Sequence, residues 1–399
     1  MQSPSVSDIY PYKCDINDPE ECGSLVRING NNFLNSDRLT RKGNLKSAPV
    51  ADEKELQTNI DLVFNYWRKR GFPHYPTDKQ WRDKKFAELQ NTNISSIIQG
   101  DIIKSNILGS SLAFSFMPHH FKIRCGKMRT PMEIYNNEEH FKKGIKKLLT
   151  GSFFPKQSVD DLMPISSNLF GETTETTPEK KSKSETIMRA LLRRYTGTQS
   201  VSNFRPTAAA ALYRKFCKTG DTVWDMSMGY GGRLLGAILA KVNYIGTDPC
   251  GDTYNGLVEL RNQYGNFNNK YKLLKKGSEL MLFDEPALDF AFTSPPYFDW
   301  EHYDDDDESQ SYLKWSHIAD WKLGFLFQTI NNAFRGLKLG KYCAINVANT
   351  KHYKNFEDDT RECAEKVGFT YIKTYKLQLS SQEQGSKWEP VFLFQKKNF

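Results

Sequence analysis

Apolar and polar positions along the chain follow two rhythms, helical in the first half and strand-helix alternating in the second. From Leu56, the residues Ile60, Val63, Phe64 and Trp67 recur at helical spacing, and Arg68-Lys69-Arg70-Gly71 closes the segment with a basic last turn and a glycine stop. After the rigid aromatic turn Phe72-Pro-His-Tyr-Pro76, a second helix is expected over Thr77 to Leu89, with Trp81 and Phe86 on its apolar side. Between His140 and Lys156, Phe141, Ile145, Leu148 and Leu149 recur at i, i+4, i+7 and i+8, which predicts an amphipathic helix whose polar face is basic through Lys142, Lys143, Lys146, Lys147 and Lys156. Residues 1 to about 55, broken by Asn, Gly, Asp and Pro, predict a loosely structured arm or edge strands.

The second half reads differently. Ala208 to Phe216 is a strong helix pattern entered at Pro206-Thr207, with Pro at a favoured opening position. Asp221 to Asp225 then predicts a strand, followed by the glycine-bearing turn Met226 to Arg233 and a helix over Leu234 to Ala240. Asn243 to Asp248 is a second strand, Tyr271 to Leu274 a third ending near Gly277-Ser278-Glu279, and Leu288 to Thr293 a fourth. Beyond it come a helix over Asp320 to Phe334, a turn at Leu337 to Gly340, a strand over Tyr342 to Val347, a helix over Glu357 to Val367 and two terminal strands, Tyr371 to Leu379 and Glu389 to Gln395. Alternation at this spacing predicts an α/β fold with a parallel, doubly wound sheet.

Composition changes this picture in three places. Residues 171–185 carry no apolar side chain and read as a mobile linker, dividing a mainly helical N-terminal domain (1–170) from an α/β domain (186–399). A formal charge of +8 spread over 399 residues permits an anionic partner without demanding one. No apolar run is long enough to span a membrane and no signal pattern opens the chain, so an intracellular, cytoplasmic protein is expected. The seven cysteines are odd in number, widely spaced and without a Cys-x-x-Cys pair, which predicts reduced structural thiols and no metal. His119 and His120 receive no role.

Chemistry concentrates at strand ends. The fourth strand stops in Ser294-Pro295-Pro296-Tyr297, where adjacent prolines remove two backbone donors and fix two φ angles. A rigid turn there presents a hydroxyl, free carbonyls and an aromatic ring where open α/β sheets bind ligands. The first strand ends in Asp225 before Gly229 and Gly231, and the second ends in Asp248, 23 residues further on, about the separation at which nucleotide-binding units place a ribose carboxylate.

Taken with that order of elements, Ser294-Pro295-Pro296-Tyr297 resembles the catalytic tetrapeptide of amino-methyltransferases, which use S-adenosylmethionine to methylate an exocyclic amine of a base. The resemblance covers roughly 195 to 399 and implies a Rossmann-like, seven-stranded methyltransferase sheet. It implies that Asn203, Phe204, Arg205, Pro206 and Thr207 flank the cofactor, that Asp225, Gly229 and Gly231 line it, that Asp248 holds its ribose, and that Glu279 lies near the adenine amine. Ser294 and Pro295 would accept the two amine hydrogens, directing the nitrogen lone pair at the sulfonium methyl, and Tyr297 would stack on an extruded base. Serine in the first position favours the cytosine 4-amino group over the adenine 6-amino group. Cys250 follows the second strand rather than the fourth, which argues against a thiol nucleophile.

The chain departs from that family at Asp225-Met-Ser227, where Asp-Pro-Phe is usual, and at Lys338-Leu-Gly340, where Lys-Pro-Gly is usual. Asp304 to Glu308, next to the tetrapeptide, would repel phosphate. DNA is the expected partner, recognised through the helices at 66–86 and 140–156, by lysine–phosphate pairing and stacking. RNA, methylated on a guanine 2-amino group, and a catalytically silent nucleic-acid-binding role are the rival expectations.

Overall fold

The computed structural model describes residues 53–380 and 387–398, apart from 153, 164, 168–172 and 176–177. The arm expected over the first 55 residues therefore lies, but for its last three positions, outside the described residues, and the last three open a helix. Two compact units are present. One runs to His74 and resumes over Lys127–Ser200; the other comprises Tyr75–Gly126 and everything from Val201. Among the described residues no helix is long and apolar enough to cross a membrane.

The first unit is a helical cluster. Helices Glu53–Arg70, Glu138–Thr150 and Pro178–Arg194 bury Val63, Trp67, Phe141, Ile145, Met188 and Leu191 in one core. The apolar spacing that predicted the first two helices is the stripe they bury. Gly144 lets the second and third helices approach closely, since a Cβ there would sit 3.1 Å from Leu191. Pro178–Arg194 occupies most of the tract expected to be a linker. Its opening turns are polar, but Met188, Leu191 and Leu192 further along are buried, and that face carries the helix back to a proline at its start.

The lysines of Glu138–Thr150 are only partly available to a ligand. Lys142 pairs with Asp61 at 2.8 Å and Glu138 at 2.7 Å, Lys143 pairs with Glu139 at 3.1 Å, and Lys147 donates to the Thr196 hydroxyl at 3.1 Å. The acids that do this lie one turn before the basic run and on the neighbouring helix. The helix also ends at Thr150, before Lys156.

The second unit is built on a nine-stranded sheet. Its strands in chain order are β1 (Ile98–Gln99), β2 (Ile102–Ile103), β3 (Thr222–Asp225), β4 (Asn243–Asp248), β5 (Tyr271–Lys275), β6 (Leu288–Thr293), β7 (Leu337–Asn346), β8 (Phe369–Ser380) and β9 (Lys387–Lys396). Spatially they run β1-β2-β8-β9-β7-β6-β3-β4-β5. From β5 across to β7 all pairs are parallel, and β9 is antiparallel to both β7 and β8. The α/β, Rossmann-like architecture is as expected, but the count of seven is corrected to nine. The two extra strands form a hairpin of two residues a side that adds to the edge through Lys376↔Ile102 and Leu377↔Ile103. Strands that short leave no alternation to read.

Alternation does show within the central strands. Val223, Phe290, Phe292 and Ala344 enter one core with the helices Pro206–Phe216 and Gly232–Ala240, while Trp224, Ala291, Cys343 and Ile345 enter a second core on the opposite face. All six residues of β6 are buried. β7 begins five residues earlier than expected, absorbing the predicted turn at 337–340 as an irregularity before Tyr342. The helix expected over 320–334 is interrupted by a π segment, Lys322–Phe327, between Ile318–Trp321 and Gln328–Gly336.

Candidate functional site

Four parallel strands end on one side of the second unit, and a cavity of about 880 Å³, counting its open mouth, lies at their C-terminal ends. β3 contributes Met226 to Tyr230, β4 Asp248 to Cys250, β5 Gly277 to Glu279 and β6 Ser294 and Pro296. Between β3 and β6 the sheet order reverses, the position at which open α/β sheets leave a crevice. Ser202, Asn203 and Phe204 close one wall, and Glu301, Tyr303, Ser309, Gln310, Ser311 and Phe325 another.

The turn after β3 is tied from both sides. Gly229, at a φ of 52°, donates its N–H to Asp248 Oδ2 at 2.9 Å, and the Cys250 N–H donates to Asp248 Oδ1 at 3.1 Å. Burial pushes the Asp248 carboxyl up to about 6, against these two hydrogen bonds, which act to lower it. Asn203 donates from its side-chain amide to the Tyr230 carbonyl at 2.9 Å and accepts from the Gly232 N–H at 3.2 Å. Gly232 itself is a close-approach position, because a Cβ there would collide with the Phe204 carbonyl oxygen.

Not every residue expected around the cofactor reaches the cavity. Asn203, Phe204, Gly229, Asp248 and Glu279 line it, whereas Arg205, Pro206, Thr207, Asp225 and Gly231 do not. Arg205 donates to the carbonyls of Ser105 and Gln378, each at 2.9 Å, and to that of Leu379, so it fastens the short hairpin and the end of β8. Pro206 opens the helix Pro206–Phe216, and buried Thr207 donates to the Asn106 carbonyl at 3.3 Å. Asp225 is fully buried, accepting from Arg233 Nε at 2.9 Å on both oxygens, from the Tyr244 hydroxyl at 2.7 Å and from the Ser227 N–H at 3.2 Å. Its acceptor capacity is used by the fold. Arg233 lines the cavity; burial alone would lower its pKa, but the Asp225 charge and hydrogen bonds outweigh that and raise it. Gly231, at a φ of 77°, caps the helix Gly232–Ala240 and packs near Leu260 and Leu257.

Within the tetrapeptide, Ser294 and Pro296 face the cavity, while Pro295 is buried and outside its lining. Tyr297 is also outside the lining; its ring meets Phe356 edge-on at 5.3 Å and 75°. The next residue, Phe298, sits at a φ of 56°, a strained conformation for a bulky side chain and one that recurs where function over-determines the backbone. The π segment 322–327 brings Phe325 to the lining. Cys250 is buried, and burial raises its thiol, so it is a poor nucleophile. His119 shares a hydrogen bond with the Thr253 hydroxyl at 3.1 Å, and burial lowers its pKa. Buried His120 bonds the Met117 carbonyl at 2.7 Å.

Three lining side chains are buried with a polar atom unpartnered by protein: Glu279 Oε2, the Tyr230 hydroxyl and Gln310 Nε2. Leaving such atoms unpaired costs about 1–3 kcal/mol each, and their meeting in one cavity makes it the candidate ligand site. The other Glu279 oxygen accepts from Lys314 at 2.6 Å, and Asn332 holds the Ser278 and Glu279 carbonyls at 3.1 and 3.0 Å. Sequence reasoning missed Tyr230, Arg233, Glu301, Tyr303 and Gln310. Tyr230 and Arg233 stood inside the glycine turn, whereas Glu301 and Tyr303 lie at a pairing two residues long, too short to leave a strand signal. Gln310 left none.

No protein-family model matches the chain, and no curated protein matches it at a significant level. Among solved structures it is similar to a SAM-dependent methyltransferase from Methanosarcina mazei, at 13% identity over 47% of this chain and 98% of the other, with a TM-score of 0.34. A methyltransferase from Pyrococcus furiosus gives 14% identity over 48% of this chain and 83% of its own, with a TM-score of 0.33. Magnesium protoporphyrin IX methyltransferase from Synechocystis PCC 6803 gives 11% identity over 48% and 77%, with a TM-score of 0.35. Likeness at this level assigns no reaction, which rests instead on the residues of the cavity.

Proposed function

We propose that this chain is an S-adenosylmethionine-dependent methyltransferase acting on an exocyclic amino group of a DNA base, the cytosine 4-amino group ahead of the adenine 6-amino group. The observation that carries the reading is that the glycine turn, Asp248, Glu279 and Ser294 line a single cavity. Its residues fit the cofactor: Asp248 offers a carboxylate to ribose hydroxyls, the unpartnered Glu279 Oε2 accepts from an amine, and Phe204 and Phe325 give apolar faces for a ring. The acids in the lining suit a ligand that carries positive charge. When bound, S-adenosylmethionine supplies an electrophilic methyl group on a sulfonium.

The protein's task is then to make a weak nucleophile adequate. An exocyclic amine has its lone pair delocalised into the ring, and acceptors for its hydrogens restore that pair to nitrogen. The Ser294 hydroxyl, which lines the cavity, supplies one such acceptor on a backbone held rigid by consecutive prolines, while the expected second acceptor, the Pro295 carbonyl, belongs to a residue outside the lining. Tyr297 acts in this arrangement by fixing the turn against Phe356.

Incubating the protein with methyl-labelled S-adenosylmethionine and genomic DNA or total RNA, followed by nucleoside mass analysis, tests the reading. Labelled 4-methylcytosine or 6-methyladenine in DNA is expected, and Ser294→Ala is expected to lower its formation about 100-fold. Full methylation by that variant refutes the mechanism, 2-methylguanine in RNA moves the substrate to RNA, and failure to bind the cofactor leaves a catalytically silent binding protein.

A further inference from the structure

Glu301 follows the tetrapeptide by four residues and lines the same cavity as Ser294 and Pro296. Its backbone is pinned: Glu301–His302 pairs antiparallel with Arg124–Cys125, Glu301 opposite Cys125, and the Trp300 carbonyl accepts from the Gly126 N–H at 2.7 Å. Strand alternation puts Glu301 and Tyr303 on one side and His302 on the other, where it meets Asp305 at 2.9 Å. The Tyr303 hydroxyl donates to Glu301 Oε2. Among the described residues nothing hydrogen-bonds the other oxygen.

On the amino-methyltransferase reading proposed above, we infer that Glu301 is the specificity-determining residue that reads the ring nitrogen beside the reacting amine, its carboxyl donating a hydrogen bond to that nitrogen. Cytosine and adenine carry an unprotonated acceptor nitrogen next to the amino carbon, so a neutral carboxyl meets their edge with a donor and an acceptor. Guanine's 2-amino carbon lies between N1, which carries a hydrogen, and the acceptor N3, so the donor of Glu301 would reject the N1 edge alone. The surroundings favour the protonated form. Burial raises the Glu301 carboxyl above its ordinary value, the Tyr303 hydrogen bond opposes this, and the charge of Glu389 adds to it. The groups acting on it are the phenols of Tyr303, Tyr230 and Tyr297, the Cys125 thiol and the Glu389 carboxyl, none of them a cation, while Arg124 lies opposite His302 in the alternate register.

The test uses the full chain, S-adenosylmethionine and synthetic random-sequence DNA in which cytidine is replaced by 3-deazacytidine, or adenosine by 1-deazaadenosine, removing only the ring nitrogen. The wild-type protein is expected to lose about 10- to 100-fold in kcat/KM on the deaza DNA. Glu301→Ala is expected to act on both DNAs within about threefold, its discrimination gone. Glu301→Gln, which carries a donor and an acceptor at every pH, is expected to keep the discrimination and to lose the decline in kcat/KM that the wild type shows as pH rises and Glu301 ionises. Thermal melting and cofactor binding identify any variant that fails to fold, and Tyr303→Phe, which removes only the partner hydroxyl, is then expected to weaken the discrimination in place of Glu301→Ala. Equal rates on the two DNAs for the wild type, or undiminished discrimination in Glu301→Ala, overturn the inference alone. Absence of methyl transfer to any unmodified nucleic acid overturns the functional reading and this inference with it.

Discussion

Asp248 couples the cavity, the proposed cofactor site, to pH. Its carboxyl ionises at about 6 in the fold, because burial penalises the charge, and near 3.8 when exposed. Between those values the folded state holds a proton that the unfolded chain has lost, so this group's contribution to stability is complete below about 4 and is lost as pH rises through about 6. The whole effect is of the order of 2 kcal/mol, discounted because the carboxylate opens on the cavity. Asp248→Asn keeps one acceptor oxygen for the two N–H groups and loses a hydrogen bond at every pH, but it escapes the buried charge, so its melting temperature is expected to gain on the wild type as pH rises from 4 to 8. Titration calorimetry should show wild-type affinity for S-adenosylmethionine rising from pH 5 to 7 as the carboxylate forms, and a loss of at least about tenfold in the Asn variant at pH 7. A melting difference that stays constant between pH 4 and pH 8 would contradict the buried-carboxyl account.

At the scale of elements, the cavity depends on how the helix Gly232–Ala240 leaves β3. Arg233, in its first turn, answers Asp225 at the strand's end, and both are nearly or fully buried. Removing one charge leaves the other unpaired, so Arg233→Met is expected to cost about 3–5 kcal/mol by urea denaturation. Adding Asp225→Asn should recover part of that loss, whereas independent roles would make the two costs add. Gly232 sets the spacing on the same helix. Gly232→Ala would drive the Phe204 carbonyl outward and is expected to cost about 1–3 kcal/mol in stability, with weakened cofactor binding because Asn203 and Phe204 are cavity walls.

Over the whole molecule, the two units divide differently from the boundary that composition drew at 171–185. Residues 75–126 belong with the sheet, because the hairpin 98–103 extends it and Leu112, Phe116 and Met117 share its core. The helical unit remains the proposed site of DNA contact, with its basic helix as the test case. Lys142 and Lys143 are committed to acids, so Lys146 and Lys156, both exposed, are the phosphate candidates. Lys146→Glu with Lys156→Glu is expected to weaken duplex DNA binding and to lower the slope of log affinity against log salt by about 2, measured by filter binding. Unchanged affinity would remove the segment 138–156 from the interface.

The chain's pattern alone was enough for the main helices and strands from Pro206 onward, for the glycine turn after β3 and for the tetrapeptide after β6, because period-2 and period-3.6 burial and backbone-restricted residues are local properties. The resemblance to amino-methyltransferases, rather than periodicity, pointed to Asn203, Phe204, Gly229, Asp248, Glu279 and Ser294, all of which line one cavity. Acid at a strand end, however, does not say which way the carboxylate turns. Asp225 and Asp248 look alike in sequence, yet Arg233 and Tyr244 claim the first, while the second opens on the cavity. Arg205 and Tyr297 were likewise drawn away by partners distant in the chain, Gln378 and Phe356. The hairpin at 98–103, the π segment at 322–327 and Glu301 owe their places to pairing and packing across the fold. Such contacts join residues separated by tens to hundreds of positions, and no local periodicity encodes them.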